Sequence, residues 1–234
     1  MSTRFKISTF IFFFFASINL SAQSFYKEKN SRDNIVSIGI GPSFAYLDNG
    51  GPYRDFSFNI KPSVSLSLTK RLTERFDLRA TAGAQWIEST KNASPTVQGI
   101  WFENNAAYTA VGAAYYFDVM PSVNLVAFEN HMNRSIVNLY GGLGLGVMYS
   151  VTDQTKSYSE DAQIYREKLT TAYIPLRAGL SYTLGPYSDI AIESTMMVNF
   201  SDNIDGNIGF NKFNDNLIQG QIVYRRYFFS SFDH

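Results

Sequence analysis

The chain has 234 residues, with Lys+Arg and Asp+Glu balanced at 20 each, so no net field draws it to nucleic acid or to an anionic surface. It contains no cysteine, which excludes a disulfide scaffold, thiolate chemistry and the lipid-bearing cysteine of a lipoprotein. Charged residues make up 17% and aromatics 16%, a balance that suits strands crossing a membrane better than membrane helices.

The N-terminus has the parts of a secretory signal peptide in order. Arg4 and Lys6 are the positive region, Ile7 to Ile18 the apolar core, and Leu20-Ser21-Ala22-Gln23-Ser24 the small residues for cleavage. The apolar core is shorter than the roughly 20 residues a spanning helix needs. The expected organisation is a signal peptide over 1–23, a short periplasmic segment over 24–33 and one β-barrel over 34–230.

From residue 34 onward apolar and polar residues alternate with period two, the mark of strands with two different faces. Val36, Ile38, Ile40, Pro42, Phe44 and Tyr46 oppose Ser37, Gly39, Gly41, Ser43 and Ala45 in the first strand. Phe56 to Thr69 and Phe76 to Trp86 alternate in the same way. A fourth segment, Ala106 to Phe117, is rich in Ala and Tyr, and its faces are ambiguous. Val137 to Val151, Ala172 to Leu184, Asp189 to Phe200 and Leu217 to Phe229 complete a predicted antiparallel up-and-down barrel of about eight strands.

Short connections at Lys70 to Arg75 and Gly185 to Ser188 alternate with long polar loops at Asp48 to Asp55, Ser89 to Asn105, Thr152 to Lys168 and Ser201 to Asn216. Bacterial barrels place short turns in the periplasm and long loops outside. Asp118 to Arg134 breaks the rule, being expected in the periplasm yet long.

Alternation alone does not say which face is outside, and a soluble barrel or sandwich would bury the apolar one. Three features favour lipid. The polar face carries Ser, Thr, Gly, Asn and Gln rather than Lys and Glu, charges gather in the loops, and the strands exceed the 5 or 6 residues usual in soluble sheets. Aromatics mark the strand ends as girdles would: Phe44, Tyr46, Phe56, Phe58, Trp86 and Phe200 at the loop rim, and Phe76, Tyr182, Phe228 and Phe229 at the turn rim. The expected location is therefore the bacterial outer membrane, with its lipid as partner. The polar face becomes an interior just wide enough for side chains, holding Lys61, Asp77, Arg79, Arg177, Glu193 and Arg225 as a paired charge network.

Enzymes in such barrels need a base near the outer surface, but His131 falls in the expected periplasmic connector and His234 is the last residue. No catalytic residue is assigned. Asp202-Asn203-Ile204-Asp205-Gly206-Asn207 has oxygen ligands but misses the spacing of a calcium loop, and turn chemistry explains it. Gly141 to Gly146 lies within a strand, where alternate glycines admit side chains from neighbouring strands rather than a phosphate. No cofactor, metal, nucleic acid or small-molecule substrate is expected.

Several segments between about Asn104 and Gly206 resemble the small outer-membrane barrels of Bacteroidota, in particular the PorG-like barrels associated with type IX secretion. Asn105 to Pro121 looks like that family's strand ending in an aromatic-polar-aromatic step. Leu139-Tyr140-Gly141-Gly142-Leu143-Gly144-Leu145-Gly146 is similar to its Tyr- and Gly-rich strand, and Ile174-Pro175-Leu176-Arg177-Ala178-Gly179-Leu180-Ser181-Tyr182 matches an Ile-Pro-x-x-x-Gly-x-x-Tyr pattern. Phe200 to Gly206 echoes a further step, with Asn203 in place of an aromatic and Gly206 in place of an acid. The resemblance implies a non-enzymatic barrel that holds a periplasmic secretion ring at the outer membrane.

On that reading the connector supplies the contact, with Pro121, Glu129, His131 and Arg134 as candidates. The alternative is a structural or adhesive barrel that works through its outer loops, where Trp101, Phe102, Tyr158 and Tyr165 are the candidates. A soluble periplasmic barrel with an apolar ligand is the third possibility.

Overall fold

The structure, a computed structural model, describes residues 32–48, 58–89, 95–157, 159, 161–208 and 214–229. The signal peptide expected over 1–23, and all of the 24–33 segment except Arg32 and Asp33, lie outside these residues.

Strands β1 (Asn34–Tyr46), β2 (Lys61–Arg71), β3 (Phe76–Glu88) and β4 (Thr109–Asn124) lead into β5 (Val137–Leu143) and β6 (Leu145–Thr155). Strands β7 (Ile164–Gly185), β8 (Ser188–Asn199) and β9 (Asn216–Phe228) complete the set. All pairings are antiparallel; consecutive strands pair except β5 and β6, which both lie between β4 and β7, and β1 closes the ring on β9 with Asn34 opposite Phe228 and Tyr46 opposite Asn216.

β5 and β6 are one stave. The register that sets Leu143 opposite Leu176 continues unchanged to Gly146 opposite Tyr173. The interruption at Gly144 has a covalent cause, because Pro175 on one neighbour and Pro121 on the other have no N–H to give the ladder. Gly144 N–H still reaches the Pro175 carbonyl at 3.2 Å. The barrel therefore has eight staves, as the alternation predicts.

Burial settles which face points where. Ile192 is 68% and Leu143 62% exposed, while Ser63 is fully buried. The apolar face is outside and the Ser/Thr/Gln face inside, the inverse of a soluble protein and the arrangement of a barrel in lipid. Along β7 the outward apolar face runs from Ala172 to Leu184, roughly 30 Å of height at the usual rise and a ~40° tilt. Trp86, Phe200, Phe76, Tyr182, Phe228 and Phe229 are exposed at its edges. Tyr46 is buried instead, and Phe56 lies outside the described residues. These features place the chain in the bacterial outer membrane.

The structure corrects several boundaries. Asp118 to Arg134 is not all connector, because β4 continues to Asn124 with Val119, Pro121 and Val123 outward and Asp118, Met120 and Ser122 inward. The same alternation resolves the fourth strand, with Val111, Tyr115 and Phe117 facing lipid and Ala110, Ala114 and Tyr116 facing the interior. Thr152 to Lys168 is not a loop but the top of a long hairpin, with Thr155 opposite Ile164. The loop after β3 holds helix α1 (Pro95–Glu103), which begins at Pro95, where a missing N–H costs nothing, and is closed by Asn105 at φ 52°. The second strand starts at Lys61 rather than Phe56.

The exposure pattern predicts depth-dependent tolerance. Leu66→Arg, on the outward face of β2, should cost about 2–4 kcal/mol in lipid, while Thr170→Arg, above the apolar band on β7, should cost about 0–1 kcal/mol. Chemical denaturation in vesicles measures both, and equal costs would contradict a lipid-facing apolar band.

Candidate functional site

Three inward tyrosines divide the interior, each lying over a glycine on the adjacent strand. Tyr116 faces Gly83, Tyr140 faces Gly179 and Tyr173 faces Gly146 across their ladders. A Cβ on any of these glycines would come within 2.3–2.5 Å of the ring or hydroxyl, so the glycine is the space the ring occupies. Each hydroxyl is then delivered to a polar partner. Tyr116 donates to Gln219 at 3.1 Å, Tyr173 to Asp118 at 2.9 Å and Tyr140 to Glu193.

Glu193 is the hub of the charges. Arg79 grips it with two nitrogens, at 2.7 and 3.1 Å, and uses the second also on Ser67 at 2.8 Å. Arg177 approaches it at 3.9 Å and donates to Asp118 (3.2 Å), Thr81 (2.9 Å) and Thr195 (2.9 Å). Arg225 lies over the Tyr140 ring at 4.8 Å. These groups come from β2, β3, β4, β5, β7, β8 and β9, so the network ties staves across the barrel. Above it, Gln219 donates to Gln85 and Gln221 to Ser63, both at 3.0 Å.

Both ends are stoppered. At the periplasmic end the connector between β4 and β5 folds under the barrel. Arg134 pairs with Asp189 at 2.7 Å and donates to the Gly185 carbonyl at 2.6 Å, and Phe128 stacks on Tyr227 beneath Arg71. Asp77 belongs to this floor, 3.7 Å from Arg71 and accepting from Asn124 at 2.8 Å. The cavity left among Arg71, Phe128, Arg134 and Asp189 is about 10 Å³, room for about one water. At the outer end Ile204 tucks into the core with Leu47, Ile87, Tyr173 and Leu217, and Asn207 bonds both backbone groups of Ala107.

The expected site residues divide accordingly. Asp77, Arg79, Arg177, Glu193 and Arg225 are buried inside. Lys61 instead stands half-buried at the outer end of β2, paired with Glu88 and apart from the Glu193 hub.

Of the periplasmic candidates, Pro121 lies in β4 facing outward, because the strand runs past it. His131 is buried, stacked on Tyr187 and accepting from the Arg32 N–H at 3.2 Å, and Arg134 is committed to the floor. Burial removes both from any contact surface, while Glu129 is exposed.

Of the outer candidates, Trp101 is only 2% exposed, because it packs on Tyr108 at 5.5 Å as the inner anchor of α1. Phe102 is 78% exposed, and Tyr165 is exposed beneath Lys156 at 5.1 Å. Tyr158 lies outside the described residues.

Asp118, Tyr140 and Asp189 complete the pairing and are missing from the expected set. All three lie on the polar face once the period-two pattern is extended, so the signal was present for them. Arg71 and Arg134, at a strand end and in the connector, carry no such signal.

Removing the hub charge should expose its worth. Glu193→Gln leaves Arg79 buried without an anion and should destabilise the barrel by about 3 kcal/mol, whereas the Arg79→Met, Glu193→Met pair should cost less. Urea titration of the refolded barrel checks both, and a single variant as stable as the parent would contradict the hub.

No protein-family profile and no curated protein sequence matches the chain. Among solved structures it is similar to Neisserial surface protein A, at 12% identity and TM-score 0.52 over 83% of this chain and 97% of that one. The attachment invasion locus protein Ail of Yersinia pestis aligns at 15% identity and TM-score 0.45, over 83% and 97% of the two chains. A major outer membrane protein of Thermus thermophilus aligns at 11% identity and TM-score 0.47, over 83% and 99%. At 12% identity the likeness to the Neisserial protein is one of fold, and with the exposed apolar band and the closed ring it makes this chain a small outer-membrane β-barrel protein.

Proposed function

We propose that this is a non-enzymatic, non-conducting barrel that works from its outer surface, presenting a rigid three-stranded arm, the outer ends of β4, β6 and β7, to a partner outside the cell. The observation that carries this reading is the length of β7. Its first seven residues, Ile164–Thr170, stand above the apolar band. They pair with the end of β6, and Ile164 to Lys168 are exposed on both faces. Asp153 and Arg166 brace the arm through two hydrogen bonds of 2.7 and 2.9 Å.

Exposed Ile164 and Tyr165 on the arm, and Phe102 on α1, offer the apolar anchors that protein contacts use. The stoppered interior argues for work at the rims rather than through the lumen. One histidine, His131, is consumed in the floor, which supports a non-enzymatic reading. The test replaces 153–166 by an Asn-Gly turn. The shortened barrel should still fold, shown by heat-modifiable migration, while cells displaying it lose adhesion to host matrix or to one another. Unchanged adhesion would remove the reading.

The PorG-like resemblance supports a second reading, an anchor for a periplasmic secretion ring. Here the supporting observation is the connector's exposed underside, where Met132 and Ile136 stand uncovered beside Glu129. Deletion of the gene should abolish export of type IX cargo, with rescue by the full chain but not by one whose 125–136 connector is cut to a short turn. Normal export in the deletion strain rules it out.

A further inference from the structure

The outer mouth brings three strand ends together. Tyr46 of β1 pairs with Asn216 of β9, and Val198 of β8 pairs with the same residue, so Asp48, Asp215 and Asp202 emerge side by side. One carboxylate oxygen from each lies within 4.8 Å of the others. Calcium binds oxygen at 2.3–2.6 Å, so two oxygens on opposite sides of one ion stand at most about 5 Å apart. The separations therefore fit a single ion shared by all three.

A second observation points the same way and concerns Asp215 alone. Its side chain is buried, with 1% of the residue exposed. Its Oδ2 accepts the Ile204 N–H at 2.7 Å, and its Oδ1 has no donor. A buried carboxylate oxygen without donor or cation is costly, and the groups acting most strongly on it are themselves acidic. Burial first, then the charges of Asp205, Asp48 and Asp202, hold the Asp215 carboxyl well above the ordinary carboxylate range. A divalent cation relieves the burial penalty and the mutual repulsion together.

We propose that Asp48, Asp202 and Asp215 form a calcium site that ties the loop after β1 to the β8–β9 loop and locks the outer mouth of the barrel. Carboxylates from separate loops suit calcium, which tolerates irregular geometry, better than magnesium, which demands a near-ideal octahedron. The sequence element 202–207 contributes only Asp202 to this cluster. Asp205 turns back to accept the Asn207 N–H at 2.9 Å. The ligands come from two loops more than 150 residues apart, so no contiguous motif announces them.

The test titrates calcium chloride into the chelator-stripped barrel in detergent micelles and follows binding by calorimetry and unfolding by thermal melting. The parent should bind one calcium with a dissociation constant on the order of 10⁻⁴ M, as extracellular sites do. Asp215→Asn and Asp48→Asn should each weaken binding at least tenfold, while Asp153→Asn, on the projecting arm, leaves it unchanged. Calcium should raise the melting temperature of the parent but not that of Asp215→Asn. In chelator, Asp215→Asn should melt no lower than the parent, because the amide carries no charge to repel its neighbours and still accepts the Ile204 N–H. Should that variant fail to fold, Asp202→Asn provides the same comparison from a more exposed position. Absence of calcium binding by the parent, binding undiminished in the variants, or a melting temperature that ignores calcium would each overturn the site.

Discussion

The constraint on which the molecule depends is that lipid offers no hydrogen bonds, so every backbone N–H and C=O at membrane depth must find its partner inside the chain. A sheet meets that condition only by closing on itself, and the β1–β9 ladder is where this one does so. Closure also dictates the tolerance for proline. Pro121 and Pro175 withdraw two donors from the staves that flank Gly144. Both cluster at one break, and the register passes through it without a shift. A second proline pair, Pro42 facing Pro62 between β1 and β2, sits at another interruption, so the missing donors fall at two places in the ring.

Closing eight staves leaves an interior that side chains must fill, and this chain fills it with polar groups. Tyrosines rest on glycines, arginines meet carboxylates, and glutamines link to one another above them. Such a filling is expensive unless each group is satisfied. The use of one glutamate by Arg79, Arg177 and Tyr140 shows how few carboxylates the space allows. The same economy explains why the connector is drawn in. Arg134 gives Asp189 an ion pair at 2.7 Å, while Arg225, opposite it on β9, lies over the Tyr140 ring.

The barrel was legible in the sequence because period two is a direct image of its two faces. Ser63 and Leu66 differ in burial for the same reason that they differ in type. The interior charges on regular strands could be read in the same way, although Asp118, three residues before Pro121, falls within the expected connector. What the sequence does not encode locally could not be read. Trp101 looks like an exposed loop aromatic until α1 places it against Tyr108. His131 and Arg134 look like a free connector until the floor takes them in. The acidic mouth joins residues that only ring closure makes neighbours.

The bond between Arg79 and Glu193 spans 114 positions of the chain, and β1 must wait for β9 before either edge is covered. Contacts this distant in sequence make for slow, late-committing assembly, since the entropy of closing a long loop is lost before any of them forms. Until then the lipid-facing side chains have no lipid. The polypeptide is consequently one that needs holding by chaperones on its way to the membrane, and its hazard is aggregation in transit rather than instability once inserted.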